Sequence, residues 1–84
     1  MKIIATIYRS SRIEGMYLYV GKTEALTRVP EPLLQKFGRP EHAMTLLLHS
    51  GRTLARAETA DVMAAIQQQG FYLQMPPGED ELAR

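Results

Sequence analysis

The chain has 84 residues, of which 45% are hydrophobic and 23% charged, with a net charge of +1 and no cysteine. This composition predicts one small globular domain and excludes a disordered chain. The lack of cysteine excludes disulfides, thiolate nucleophiles and zinc–thiolate sites. No apolar run approaches the ~20 residues that cross a bilayer, and the amino terminus has no signal-peptide pattern, so we expect a cytoplasmic protein.

Residues 3–20 predict a β-hairpin, because two runs rich in β-branched and aromatic residues flank a polar loop that contains Gly15. Side chains alternate across a strand, so the second run places its aliphatic residues on one side and Tyr17 and Tyr19 on the other. The first run alternates in the same way and contains Tyr8. We expect one face of the hairpin to be aliphatic and the other to carry these three tyrosines.

A short helix and an apolar strand are predicted after the hairpin. The helix lies within residues 29–38, where Pro32 suits the first helical position and Gly38 suits the left-handed turn at the end. A helix of fewer than about ten residues is unstable alone in water, so it must dock on the sheet. The continuous apolar run 43–49 predicts a central strand that is covered, at least partly, on both faces.

A second helix and a last strand complete the pattern. Thr59 is the predicted amino-terminal cap of the helix, and Gly70 follows its last residue. Residues 71–75 alternate as a strand with Tyr72 on the outward side. The two prolines that follow end the strand, because proline cannot donate to a ladder.

These elements predict an α+β fold in the order β-β-α-β-α-β. We expect a two-layer α/β sandwich, in which both helices cover the aliphatic face of a four-stranded, mainly antiparallel sheet. Residues 1–77 form this single domain, and residues 78–84 form a polar acidic tail. Four residues are expected to be buried between the sheet and the helices: Leu18, Leu46, Ile66 and Leu73.

Four segments of the chain together resemble the YcgL-domain family. They are IYRSS at 7–11, YLYV at 17–20, the segment 28–38 with its RVP start and FG end, and GFYLQMPP at 70–77. Their order and spacing match the family over most of the chain. Pro32 stands where a polar residue is expected, which affects only the start of the helix. The resemblance implies a compact α/β fold found in small bacterial proteins, mainly of γ-proteobacteria, and implies no particular activity.

Candidate catalytic and metal-ligating groups are few. The serines are Ser10, Ser11 and Ser50, and none lies in a nucleophile motif with a base and an orienting acid. His42 and His49 flank a predicted strand and are therefore about 20 Å apart at ~3.3 Å per residue. No glycine-rich loop cradles a phosphate at a helix start. We therefore expect no enzymatic activity, no catalytic residue, no metal and no cofactor.

The hairpin loop is one candidate binding site. Arg9, Ser10, Ser11 and Arg12 offer two guanidinium groups and two hydroxyls, which suit bidentate contacts with a phosphate. Polar hairpin loops are also usual in proteins that bind nothing there. In that case the arginines keep the surface soluble or pair with a carboxylate such as Glu14.

The tyrosines Tyr17, Tyr19 and Tyr72 are the other candidate binding residues, and three interpretations stay open. Cross-strand tyrosines stabilise a sheet, they form protein interfaces, and they stack on the bases of single-stranded RNA. We expect a non-enzymatic module that binds an unknown protein partner, with RNA binding as the alternative and no membrane association.

Overall fold

The structure is a computed structural model that describes residues 2–51, 54 and 58–76. Its elements follow the predicted order. They are β1 Lys2–Arg9, β2 Tyr17–Gly21, α1 Glu31–Phe37, β3 Glu41–His49, α2 Thr59–Gln69 and β4 Phe71–Gln74. The predicted acidic tail at 78–84 lies outside the described residues.

The four strands form one antiparallel sheet in the order β3-β1-β2-β4. The predicted α+β class, element order and four-stranded antiparallel sheet are therefore confirmed. The prediction of a central strand at 43–49 is wrong, because β3 is an edge strand. The apolar run of β3 does not mean that both faces are equally buried. Leu48 is buried against α2, while Leu47 is exposed on the other face.

Apolar packing covers both faces of the sheet. On the side that carries Ile7 and Tyr19, here called the α2 face, the core is closed by α2. On the side that carries Leu18, here called the α1 face, the core is closed by α1 through Phe37. Leu18 and Tyr19 are neighbours in β2 and point to opposite faces. The helices thus lie on opposite faces, and the expectation that both cover one aliphatic face is wrong.

The register of the hairpin decides which side chains share a face. Ile7 lies opposite Tyr19, and Tyr8 lies opposite Leu18. Residues directly opposite each other on neighbouring strands point to the same side of the sheet. Tyr8 is therefore on the α1 face, apart from Tyr17 and Tyr19. The expectation that the three hairpin tyrosines share a face is wrong for Tyr8.

Both helices start one position away from the prediction. Glu31 is the first residue of α1, Pro30 has the extended backbone of the cap, and Pro32 follows within the first turn. In α2 the cap position belongs to Glu58, and Thr59 is the first helical residue. The first turn of each helix contains an acidic residue, which interacts favourably with the positive end of the helix dipole.

The predicted glycine stops are confirmed at both helix ends. Gly38 has φ +83° and Gly70 has φ +93°, a region that side chains with a Cβ rarely adopt. At Gly70 a Cβ would lie 2.5 Å from the Cβ of Arg28. The guanidinium of Arg28 donates to the Gln68 carbonyl at 3.0 Å and pairs with Glu24 at 3.5 Å. Arg28 therefore fixes the loop after β2 to the end of α2.

The four predicted core residues divide between the two faces. Leu46 and Ile66 pack in the core of the α2 face, whereas Leu18 and Leu73 pack in the core of the α1 face. Leu18 and Ile66 are buried, as predicted. Leu46 and Leu73 are half-buried, because both lie on edge strands.

Candidate functional site

Tyr17, Tyr19 and Tyr72 lie together on the α2 face. The rings of Tyr19 and Tyr72 are edge-to-face, with centroids 5.8 Å apart and planes at 83°. Tyr19 is only 7% exposed and belongs to the core that α2 closes. Tyr17 and Tyr72 pack against this core. Its hydroxyl donates to Oε1 of Gln74 at 2.9 Å. The structure thus brings the three tyrosines together but leaves the ring of Tyr19 no open face for a base.

The hydroxyl of Tyr19 has an altered acidity. Burial raises its pKa above the ordinary value of 10.0, and the neighbouring Tyr72 and Tyr17 raise it further. Burial has this effect because it penalises the charged phenolate. The group is therefore a neutral hydrogen-bond donor at physiological pH, and its contact with Gln74 ties β2 to β4.

The two histidines are separated, as their spacing predicts. His42 lies edge-to-face against Tyr8, with centroids 6.3 Å apart, and its Nε2 is 3.0 Å from Oγ1 of Thr45. His49, at the other end of β3, accepts the backbone N–H of Gly51 at 3.1 Å. Across residues 2–51, 54 and 58–76 no three His, Asp or Glu side chains are grouped to hold a metal ion.

The helices within these ranges are also too short and polar to cross a membrane.

Ser10 fixes the hairpin loop to the end of α1. It is buried, and its Oγ donates to the carbonyl of Phe37. The same oxygen accepts the backbone N–H groups of Arg12 at 3.1 Å and Ile13 at 2.9 Å. A hydroxyl has one donor and two acceptor sites, so the hydrogen-bonding capacity of Ser10 is used within the protein. Ser10, a predicted binding residue, is occupied in building the loop.

Ser11 and Arg12 contact the glycine that ends α1. Oγ of Ser11 accepts the backbone N–H of Arg39 at 2.7 Å. A Cβ at Gly38 would lie 2.5 Å from that Oγ and 2.6 Å from Cγ of Arg12. The loop therefore lies directly on Gly38, and the side chains of Arg12 and Arg39 extend from one fixed junction.

An open cleft of about 770 Å³ lies at this junction, and we call it the Arg12–Arg39 cleft. Its lining residues are Ser11, Arg12, Glu31, Leu34, Gln35, Gly38 and Arg39. Both arginines are exposed. Within the described part of the chain, neither guanidinium makes a hydrogen bond or an ion pair. The cleft therefore presents two positive charges that no described residue neutralises in an ion pair.

Arg9 is separate from this cleft. It pairs with Glu41 across β1 and β3, with Nε and Oε1 3.4 Å apart. The four-residue cluster predicted in the hairpin loop therefore divides into a paired arginine, a structural serine, and two cleft residues. The second arginine of the cleft, Arg39, was missed. Its signal in the sequence is a basic residue directly after the glycine of a helix stop.

A second feature that sequence reasoning missed is the apolar edge of the sheet. Among the described residues, the exposed large hydrophobic side chains are Ile4 at 52%, Met44 at 50% and Leu47 at 40%. Ile4 and Leu47 lie directly opposite each other on β1 and β3. The outer backbone groups of β3 pair with no strand among the described residues. We call β3 with these three side chains the β3 edge.

A cleft of about 660 Å³ lies at the other end of the hairpin, and its lining includes Lys2, Ile4, Lys22 and Arg28. Arg28 is engaged by Glu24 and by the end of α2. Lys2 and Lys22 are exposed and lie outside the ion pairs of the described residues. This cleft borders the β3 edge, since Ile4 belongs to both.

Comparisons with known proteins identify the family. The YcgL domain model matches residues 5–77. A YcgL domain-containing protein of Pseudomonas paraeruginosa is 57% identical over 81 residues, which are 96% of this chain and 84% of that protein. One of Saccharophagus degradans is 53% identical over 75 residues, 89% and 82% of the two chains. One of Hahella chejuensis is 51% identical over 78 residues, 93% and 74% of the two chains. The resemblance carried by the four sequence segments is thereby confirmed, and the chain belongs to the YcgL-domain family.

Proposed function

We propose that this protein is a cytoplasmic, non-enzymatic module that binds a partner protein through the β3 edge. The observation that carries the proposal is the open edge strand with its exposed apolar side chains. Most native edge strands are protected by charged residues, proline or a covering segment. Residues 43–48 of β3, AMTLLL, contain no charge and no proline. Among the described residues, the protecting feature is a bulge opposite Ile7 and Tyr8, near the start of β3.

The geometry supports binding by strand addition. An extended segment that adds to a sheet edge gains main-chain hydrogen bonds, and its alternate side chains supply specificity. On the α1 face, such a segment would cover Leu47 and extend the apolar row that Leu47 forms with Ile4. Lys2 lies opposite His49 at one end of this row. The partner segment that fits is therefore extended and apolar where it passes Leu47, and at this end it meets His49, because β3 lies between the added strand and Lys2.

A capture experiment with edge variants tests this proposal. Tagged wild-type protein, Leu47→Lys and Ile4→Lys are incubated with a nuclease-treated bacterial lysate. Gln68→Lys is the control, since it adds the same charge on an exposed face of α2. We expect the wild-type protein and the control to retain the same partner, and both edge variants to lose it. Thermal melts establish that each variant is folded. Equal retention by Leu47→Lys and the wild type would contradict the proposal.

RNA binding through the tyrosines is the weaker alternative. It requires at least two exposed aromatic faces on one surface of the sheet. Tyr19 is in the core, and Tyr17 and Tyr72 are half-buried against it. Tyr8 is on the opposite face of the sheet. The lysate experiment separates the alternatives, because nuclease treatment removes a partner that is held through RNA and leaves a protein bound directly to the β3 edge.

A further inference from the structure

We propose that the Arg12–Arg39 cleft is a binding site for a phosphate-bearing ligand. This site is distinct from the β3 edge. It is formed by the hairpin loop and the end of α1, and it shares no residue with the apolar row of Ile4 and Leu47. The proposal depends on three observations: the charges that line the cleft, the contacts that fix its arginines, and its size.

The charge of the cleft favours an anion. Arg12 and Arg39 are both exposed, and Lys36 in the last turn of α1 is nearby in the chain. Glu31 is the acidic residue among the lining residues. The carboxyl end of a helix contributes a partial charge of only about −0.5, which the basic groups outweigh. Guanidinium groups are always protonated, and their planar fork matches the oxygens of a phosphate.

The contacts at Gly38 make the site organised before a ligand binds. Ser11 accepts the backbone N–H of Arg39, and the stem of Arg12 lies against the glycine. Ser10 fixes the loop beneath them through Phe37. Ordering long side chains on binding costs conformational entropy, and a fixed backbone and stem reduce that cost. These contacts distinguish the cleft from a pair of surface arginines whose side chains are not held in place.

The size of the cleft indicates what part of a ligand it holds. Its volume of about 770 Å³ lies in the range of small-molecule sites. The cleft is open, so it contacts one side of a ligand. Beside the arginines it offers the amide of Gln35 and the half-buried Leu34. The shared chemistry is a phosphate group, carried either by a free anion such as pyrophosphate or by the backbone of a single-stranded RNA.

Two probes and a matched set of variants test the site. Inorganic pyrophosphate is titrated by calorimetry, and a labelled eight-nucleotide single-stranded RNA by fluorescence anisotropy at two salt concentrations. The variants are Arg12→Gln, Arg39→Gln, Ser11→Ala and Glu31→Gln. The control is Lys22→Gln, which removes the same charge at the other end of β2, about 17 Å or more away at ~3.3 Å per residue. Thermal melts check folding.

We expect each arginine variant to weaken binding about tenfold, because each removes a charge-assisted contact. Lys22→Gln is expected to change affinity less than about twofold, since it lies beyond the Debye length of ~8 Å. Ser11→Ala keeps the charge and is expected to weaken binding by releasing the backbone of Arg39. Glu31→Gln is expected to strengthen binding, because it removes the opposing charge.

The two probes identify the source of the phosphate. Arginine-dependent binding of pyrophosphate supports a free anion. Arginine-dependent binding of RNA alone supports backbone phosphates, and the salt slope should then fall by about 0.7 for each arginine removed. Failure of both probes to bind at low salt overturns the proposal. Equal losses in Lys22→Gln and the arginine variants also overturn it, because only net charge would then matter. Neither result affects the β3 edge.

Discussion

Replacing Leu18 with alanine is expected to remove a large part of the domain's stability. Leu18 is 0% exposed and lies in the middle of β2, opposite Tyr8 on β1 and Leu73 on β4. Together with Phe37 it belongs to the core of the α1 face. The side chain is enclosed by both neighbouring strands and by packing from α1, so its removal leaves a cavity that the surroundings cannot fill.

The magnitude follows from burial. A fully enclosed leucine replaced by alanine costs about 2–5 kcal/mol, which includes the cavity. At ~0.05–0.15 kcal/mol per residue, a domain of this size has a total stability of about 4–13 kcal/mol. Leu47 provides the comparison. It is 40% exposed on an edge strand, so Leu47→Ala creates no closed cavity and is expected to cost about 1 kcal/mol or less.

Urea unfolding of the two variants measures the difference. With a slope near 1 kcal/mol per molar for a small domain, the midpoint should fall by about 2–5 M for Leu18→Ala and by about 1 M or less for Leu47→Ala. If Leu18→Ala does not fold, Leu18→Val is the milder probe, and its loss should still exceed that of Leu47→Ala. Equal losses at the two positions would refute the assignment of Leu18 to the core and of Leu47 to the surface.

Two further predictions concern polar groups in the fold. The native pKa of Tyr19 is raised above its unfolded value of 10.0. Its contribution to stability is therefore complete below pH 10 and is lost as the pH rises through the native pKa. Thermal melts at increasing alkaline pH should show a steeper decline for the wild type than for Tyr19→Phe; identical slopes would contradict this. Ser10→Ala should cost about 1–3 kcal/mol in urea unfolding, because it leaves the Phe37 carbonyl and two loop N–H groups without a partner. The exposed control Ser50→Ala should stay within about 0.5 kcal/mol of the wild type.

Local features of the fold could be predicted from the sequence because they depend on local chemistry. The ends of both helices were placed correctly at Gly38 and Gly70, since a positive φ strongly favours glycine. The alternation of β2 and β4 was also correct, because the two-residue period of a strand needs no knowledge of its partner. The starts of the helices were displaced by one residue, since Glu58 and Pro30 hold the cap positions without a side-chain hydrogen bond to mark them.

Long-range pairing could not be predicted. The apolar run at 43–49 is typical of a central strand, yet among the described strands β3 pairs only with β1. Hydrophobic side chains indicate that a face of the strand is buried. They do not identify which of the strand's two edges pairs with a neighbouring strand. The same limit concealed both candidate sites. The β3 edge exists because nothing in the described chain covers Leu47, and Arg39 joins Arg12 only through a contact between a loop and a helix end.

The hairpin loop connects the core to the Arg12–Arg39 cleft. In the hairpin, odd-numbered residues pair with odd-numbered ones, as in Ile7 with Tyr19 and Arg9 with Tyr17. A tyrosine face shared with Tyr8 would need even-numbered residues to pair with odd-numbered ones. A loop with one residue more or fewer would turn one strand over and exchange its two rows of side chains between the two cores. Ser10 fixes the conformation of the loop. Its backbone N–H donates to the Met16 carbonyl at 3.0 Å, and its hydroxyl donates to the Phe37 carbonyl. The contacts that fix the register of the hairpin therefore also hold Arg12 against Gly38. A change in the length of this loop should disturb the core and the cleft together.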